Sequence, residues 1–271
     1  MALRTKSAVH RPVEWAPFLE ICQHLVVKLA DLTRTRTRAL YAEQYEQVMQ
    51  CLERAFAHRE NNSLLVLARS KQIIHSLLAR VIADCAAQQQ EAGQVLKVVR
   101  VNTTLLDANE QKILMRLCEI IGLAQKSKEL YTVEMITEIQ KYFEANAHVA
   151  LLFVFEDIDF YVAETKQVLL YKILDMLQYC QIRFVFVATS MKVDVVDHFE
   201  KRIKSRFSHR QVLLYAQSYP LFMQQLELCF AELNQVYRAD PLKHEALKMV
   251  HQVTLSAQTK EMLTDAFEFG K

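Results

Sequence analysis

Glycine is nearly missing from this chain, with Gly93, Gly122 and Gly270 the only three in 271 residues. Only glycine lets backbone N–H groups close tightly around a phosphate, and these three lie too far apart to build G-x-x-x-x-G-K-[ST] anywhere. A window of about 18 apolar residues is missing too, so no helical membrane span is expected. The start, MALRTKSAVHRPVEW, has no apolar core of a secretory signal. Cys22, Cys51, Cys85, Cys118, Cys180 and Cys229 are scattered, with no C-x-x-C pair and no histidine at ligand spacing. They read as core thiols in a reducing compartment, and neither a metal site nor a disulfide frame is expected. A large excess of one charge is absent as well: 33 Lys and Arg stand against 31 acids, a net charge of +2. Electrostatic steering must therefore come from local patches.

What is present is a folded, globular composition, 52% hydrophobic and 24% charged. Apolar runs rich in β-branched residues stand at 63–68, 95–101, 148–155, 182–188 and 210–215. Helical spacings fill the gaps at 73–87, 109–124, 133–145, 166–179 and 193–203. Strands that are apolar along their whole length and alternate with helices predict a three-layer α/β domain, a parallel sheet with helices on both faces. Ahead of it, Tyr41, Tyr45, Val48, Met49, Leu52 and Phe56 mark an amphipathic helix, and 18–32 is a second. After Tyr215 the strand signals stop, and helices are expected at 220–237, 241–253 and 261–269. The expected division is an N-terminal helical segment at 1–58, an α/β base domain at 59–216 and a small all-helical lid at 217–271.

In such sheets ligands sit at the C-terminal ends of the strands. LLFVF runs directly into Glu156, Asp157 and Asp159. An apolar strand ending in two acids is the layout of a Walker B element, where one carboxylate holds Mg²⁺ and the next orients water; it is equally the layout of a buried strand meeting solvent through an acidic turn. RFVFVA ends in Thr189 and Ser190, hydroxyls at the place of a γ-phosphate sensor. After the first strand the sequence is SLLVLARSKQIIHSLLARV: Arg69, Ser70 and Lys71 occupy the connection, and Gln72 replaces the Ser or Thr that would hold Mg²⁺. Lys71 could touch a phosphate as a point charge, although a surface lysine is the favoured reading.

Two basic runs remain. Arg34, Arg36 and Arg38 in TRTRTRAL read as a solvated connector. FEKRIKSRFSHRQVLLY, residues 199–215, concentrates Lys201, Arg202, Lys204, Arg206 and Arg210. It admits four readings: a nuclear targeting run, a solvated helix end complementing the helix dipole, a contact to the DNA backbone, or an arginine acting on one phosphate.

Three stretches, LLFVFEDIDF, LLYKILDMLQ (169–178) and EKRIKSRFSHRQVLLY (200–215), occur in this order and at these spacings. They resemble the AAA+ module of the origin recognition complex subunit 4 family, KRIKSRFSHRQV being the most specific part. The resemblance runs well from about residue 60 to 215 and loosely through the helical tail. It implies a nuclear subunit of a ring or spiral of AAA+ modules on duplex DNA, which marks replication origins and loads the replicative helicase. ATP and Mg would be bound between neighbours, and this subunit would lend an arginine to the site of subunit 1. Residue by residue, Glu156 and Asp157 fall on the Walker B pair, in reversed order from the family's Asp-Glu. Thr189 falls on the first sensor, Arg206 on the arginine finger, and Arg202 on a candidate second contact. Tyr171, in the helix after Walker B, is expected to pack; Arg238 is available in the lid, but nothing singles it out as a second sensor.

The departure lies at 68–72, where the family's glycine loop, its Walker A, is degenerate. The expectation is therefore a non-catalytic subunit that binds no nucleotide or metal in its own site and completes a partner's ATPase site. No winged-helix domain is evident. The alternatives are a clamp-loader-type AAA+ subunit, or a weakly active ATPase with Lys71 on phosphate and Asp157 as base.

Overall fold

The computed structural model describes residues 15–123, 130–146, 148–164, 166–179, 183–215 and 218–269. Cys180 lies outside them. The chain forms two compact units, one spanning Arg34–Ala216 and the other joining the residues up to Thr33 with those from Gln217 onward.

The larger unit is a five-stranded parallel sheet. Its strands are β1 Asn62–Ala68, β2 Val95–Asn102, β3 Val149–Glu156, β4 Arg183–Ser190 and β5 Gln211–Leu214, in spatial order β2-β3-β4-β1-β5. The helices in chain order are α1 Trp15–Leu40, α2 Ala42–His58, α3 Lys71–Glu91, α4 Glu110–Ile121, α5 Thr132–Ala145, α6 Ile158–Glu164, α7 Val168–Tyr179 and the single-turn α8 Lys201–Lys204. Every residue of β3 is buried, because both faces of the sheet are covered. Successive side chains take opposite faces. Leu151, Phe153 and Phe155 join Phe184 and Phe186 against α4 to α7, while Ala150, Leu152 and Val154 join Val185 and Val187 against α2 and α3. Phe153 meets Phe155 and Phe186 edge to face at 5.8 and 6.0 Å, the geometry aromatic quadrupoles favour.

The chain leaves β1 toward the α2/α3 face and leaves β3 and β4 toward the other. The C-terminal ends of β1 and β4, which are hydrogen-bonded neighbours, thus flank a topological switch point. This fixes where a crevice opens.

The expected helix over 193–203 is broken. A 3₁₀ turn covers Val195–His198, and extended backbone at Phe199 and Glu200 (ψ 136° and 152°) separates it from α8. The reason is burial: Phe199 and Phe207 are drawn into the core and meet edge to face at 5.6 Å.

The second unit has a core of its own. Its core brings Ile21 and Leu25 of α1 together with Leu226, Phe230 and Leu233 of α9 (Tyr219–Val236) and Leu247 of α10 (Pro241–Thr254). α11 (Ala257–Phe269) follows. Proline stands in the first turn of both α9 and α10, and Asp240 caps α10 by accepting from the Lys243 N–H. Glu20 pairs with Lys243 at 2.6 Å and Lys28 with Glu232 at 2.9 Å. The segment 1–58 is thus divided: the first part of α1 shares the core of the C-terminal helices, and α2 covers the sheet with Tyr45, Val48, Leu52 and Phe56.

Cys51, Cys85, Cys118 and Cys229 are buried and Cys22 is exposed. Burial pushes Cys85 up to about 12 and Cys118 to about 11, so neither supplies a reactive thiolate.

α2 is tied to α3 by a hydrogen bond of 2.6 Å from the Tyr45 hydroxyl to Asp84 Oδ2, which also accepts from Arg80 Nε at 2.9 Å. Burial and this bond push Tyr45 up to about 12. Burial alone would raise Asp84, but the hydrogen bonds from Tyr45 and Arg80 outweigh it and hold the carboxyl below its ordinary value. A depressed carboxyl contributes stability above its unfolded pKa of about 3.9 and loses it as pH falls through the folded value. Urea unfolding of Tyr45→Phe is therefore expected to show a loss of about 1 kcal/mol at neutral pH, shrinking as the pH drops below about 4.

Candidate functional site

The C-terminal ends of the strands gather the polar residues expected there. β3 delivers Glu156 and Asp157, β2 delivers Arg100 and Asn102, and β4 ends at Thr189 and Ser190. β1 passes into α3 through Arg69 and Ser70 alone, and Lys71 is already helical. Gln72 follows it in the first turn.

Both carboxylates are nearly buried, with 11% and 12% of their side chains exposed, and a buried charge requires a partner. Each has a cation from this same chain. Lys71 Nζ lies 2.8 Å from Asp157 Oδ2, and the same oxygen accepts from Asn102 Nδ2 at 3.0 Å and Thr104 Oγ1 at 3.4 Å. Glu156 Oε1 accepts from Arg100 Nε at 2.9 Å and also from Arg100 Nη2, with His75 Nε2 at 3.8 Å. β3 and β2 run in register here, Asn102 opposite Glu156. Asp157 sits in the left-handed region (φ 58°), and the Thr103 hydroxyl donates to its carbonyl at 2.7 Å.

Thr189 is buried opposite Val66 of β1. Ser190 Oγ donates to Asp159 Oδ1 at 2.8 Å, and Lys192 Nζ stands 3.6 Å from the other Asp159 oxygen. The structure therefore brings Lys71, Asp157 and Glu156 into one network with Arg100, Asn102 and His75. Sequence reading did not single out these last three. The one signal available was a strand, VLKVVRVN, that carries Arg100 and ends on Asn102.

Arg206 belongs to the opposite end of the sheet. Ser208, two residues on, donates its N–H to Ser63 Oγ at 2.9 Å, at the start of β1. Lys71 follows the end of that seven-residue strand, and the two sites stand roughly 20 Å apart along it at about 3.3 Å per residue. The Arg206 guanidinium donates from Nε to Asp175 at 3.2 Å and from Nη2 to the Tyr171 hydroxyl at 2.8 Å, and lies 4.3 Å over the Tyr171 ring. Arg202 shares that ring at 5.4 Å while donating to Glu200 and to the Lys166 carbonyl, each at 2.6 Å. Tyr171 is thus a cradle for two guanidiniums as well as a packing residue.

The mount is fixed by the buried amide of Gln167, at φ 55°, which donates to the His198 carbonyl at 2.9 Å and accepts from the Glu200 N–H at 3.1 Å. Beside Arg206 opens a cavity of about 790 Å³ that reaches Ser63 and Phe207. Arg238 is exposed in the turn after α9. Arg38 stacks 4.8 Å over Tyr45, and the side chains of Arg34 and Arg36 lie outside the described residues.

No protein-family model matches the chain. It is similar to the origin recognition complex subunit 4 of Xenopus laevis, 25% identical over 194 residues, which is 68% of this chain and 45% of that protein. The chain thus spans less than half the length of the curated relative. Among solved structures it is similar to the ORC1 protein of Aeropyrum pernix in complex with DNA, at 17% identity and a TM-score of 0.56, covering 78% of this chain and 58% of that one. It is also similar to a chain of the Drosophila ORC bound to DNA, at 14% identity and a TM-score of 0.52, covering 84% and 39%. The chain shares the fold of these two solved proteins over most of its length.

Removing one partner of a nearly buried ion pair leaves the other uncompensated. Lys71 is half exposed and Asp157 keeps two neutral donors, so Lys71→Ala is expected to lower unfolding stability in urea by about 1 kcal/mol. Adding Asp157→Asn should recover part of that loss in a double-mutant cycle.

Proposed function

We propose that this chain is a non-catalytic AAA+ subunit of an origin recognition complex, acting in the nucleus, and that it supplies Arg206 in trans to the ATP site of a neighbouring subunit. The observation that carries the reading is the placement of Arg206: rigidly mounted at the end of the sheet opposite the chain's own Walker B carboxylates, where it is out of reach of them.

The chain's own site does not fit a magnesium nucleotide. The two-residue β1–α3 connection has no glycine to wrap phosphates, and Gln72 brings no hydroxyl to a metal. Lys71 is paired with Asp157 and Arg100 with Glu156, which supports reading these charges as engaged within the chain. No step is therefore assigned to this site, and the Lys71–Asp157 pairing speaks against the weakly active ATPase reading, which needs Lys71 on phosphate and Asp157 as base. A clamp-loader-type subunit would share the fold, but the sequence similarity is to subunit 4.

At the neighbour's site the work of Arg206 is electrostatic. A guanidinium has five N–H donors; Asp175 and Tyr171 take two of them, leaving three to meet charge developing on a transferred phosphoryl group. Asp175 and Tyr171 act as positioning residues, holding the fork in one orientation so that little entropy is lost when phosphate arrives. Arg202, engaged by Glu200 and the Lys166 carbonyl, supports the same mount and is the candidate second contact. Partners on this reading are the other subunits of the complex, subunit 1 above all, and duplex DNA held by the assembly during origin marking and helicase loading.

The complex reconstituted with Arg206→Ala is expected to lose ATP turnover by about 10³-fold, with folding and assembly intact. Arg206→Lys should not restore it, since an ammonium cannot reproduce the fork. Turnover equal to that of the unmodified complex would remove Arg206 from the chemistry.

A further inference from the structure

The cavity beside Arg206 contains a second arginine that the trans reading leaves unused. Arg59 ends α2 in the left-handed conformation, φ 58° and ψ 29°, with its N–H donating to the Arg54 carbonyl. Glycine is the usual occupant of such a cap, because a side chain there costs on the order of 1 kcal/mol. The turn it makes leads the chain into β1, and Arg59, Asn61 and Asn62 line the cavity together with Ser205, Arg206 and Ser208.

Two arginines, three amides and three serines line the same space, and no carboxylate is among the lining residues described. The Arg59 side chain is exposed and makes no hydrogen bond or ion pair among the described residues. Two of the lining stretches are tied together by Ser208 N–H on Ser63 Oγ at 2.9 Å, and Asn61 Oδ1 is held by the Phe184 N–H of β4 at 2.8 Å. A volume of about 790 Å³ admits a nucleotide-sized group.

We infer that Arg59 and Arg206 form one polyphosphate-binding cavity that takes the terminal phosphates of a nucleotide held by a neighbouring subunit, with Arg59 as the positioning residue on the phosphate next to the one Arg206 contacts. Two planar forks lining one cavity suit a compact group with several charged oxygens. Duplex DNA presents single negative charges spread along a convex strand, which a concave pocket matches less well. The inference rests on the trans reading of Arg206 and assigns Arg59 a different share of the work. Arg59 binds in ground and transition state alike and so acts on KM, whereas Arg206 acts on kcat.

The test is ATP turnover by the reconstituted complex, carried out with Arg59→Ala and with Arg59→Gly, the latter suited to the left-handed cap and so retaining the fold. Both are expected to raise KM about tenfold while leaving kcat within about twofold, the size of one charge-assisted hydrogen-bond pair. Arg59→Lys should fall between. If Arg206→Ala lowers turnover but the Arg59 variants leave KM unchanged, the shared cavity is wrong and the trans reading stands. If Arg206→Ala has no effect, the trans reading falls and takes this inference with it. Unchanged KM together with weaker duplex DNA binding and a salt slope reduced by about one would assign Arg59 to the DNA backbone and overturn the proposal.

Discussion

A strand buried on both faces that ends in two acids sets a condition the rest of the larger unit has to meet. β3 is covered completely, so Glu156 and Asp157 emerge into a crevice where little water reaches them. In that setting a carboxylate without a partner costs several kcal/mol, and something positive must face each one. In a nucleotide-binding AAA+ site a metal would help meet that need. Here Lys71 and Arg100 meet it from within the chain, with Asn102, Thr104 and His75 filling in around them. The short connection at Arg69 and Ser70 belongs to the same solution, because it starts α3 early enough to bring Lys71 over Asp157.

On the proposed function, the sheet's other end carries a different task. Tyr171, Asp175 and Gln167 hold the α8 region around Arg206 with hydrogen bonds that the Glu156 and Asp157 end cannot share, a strand length away. A shared chemistry split between subunits needs this kind of separation. One chain supplies a preorganised cation, and another supplies the phosphate cradle. The proposed role rests on that division: a module with Arg206 mounted at one end of its sheet and ion pairs on the carboxylates at the other.

The strands were legible because each is apolar end to end, and so was the position of Glu156 and Asp157, because an acidic pair directly after such a run is a sharp boundary. Arg206 is singled out by the motif around it, and its role rests on the proposal above. Arg100, Asn102 and His75 were not legible, since their role depends on β2 lying beside β3 in a particular register and on the first turns of α3 crossing above, neither of which a single sequence states. The break at Phe199 and Glu200 escaped notice for a related reason: helical spacing at 193–203 competes with the pull of Phe199 and Phe207 into the core, and packing prevails. The division of 1–58 likewise reflects which apolar face meets which partner, a matter of tertiary contact and not of periodicity.

The central claim is that this chain's own crevice is closed to nucleotide by its internal ion pairs. Calorimetric titration of the purified chain with Mg-ATP tests it most directly. The account predicts no saturable binding up to about 1 mM, the level at which association yields only about 4 kcal/mol. Magnesium-dependent binding well below that concentration, abolished by Asp157→Asn, would contradict it.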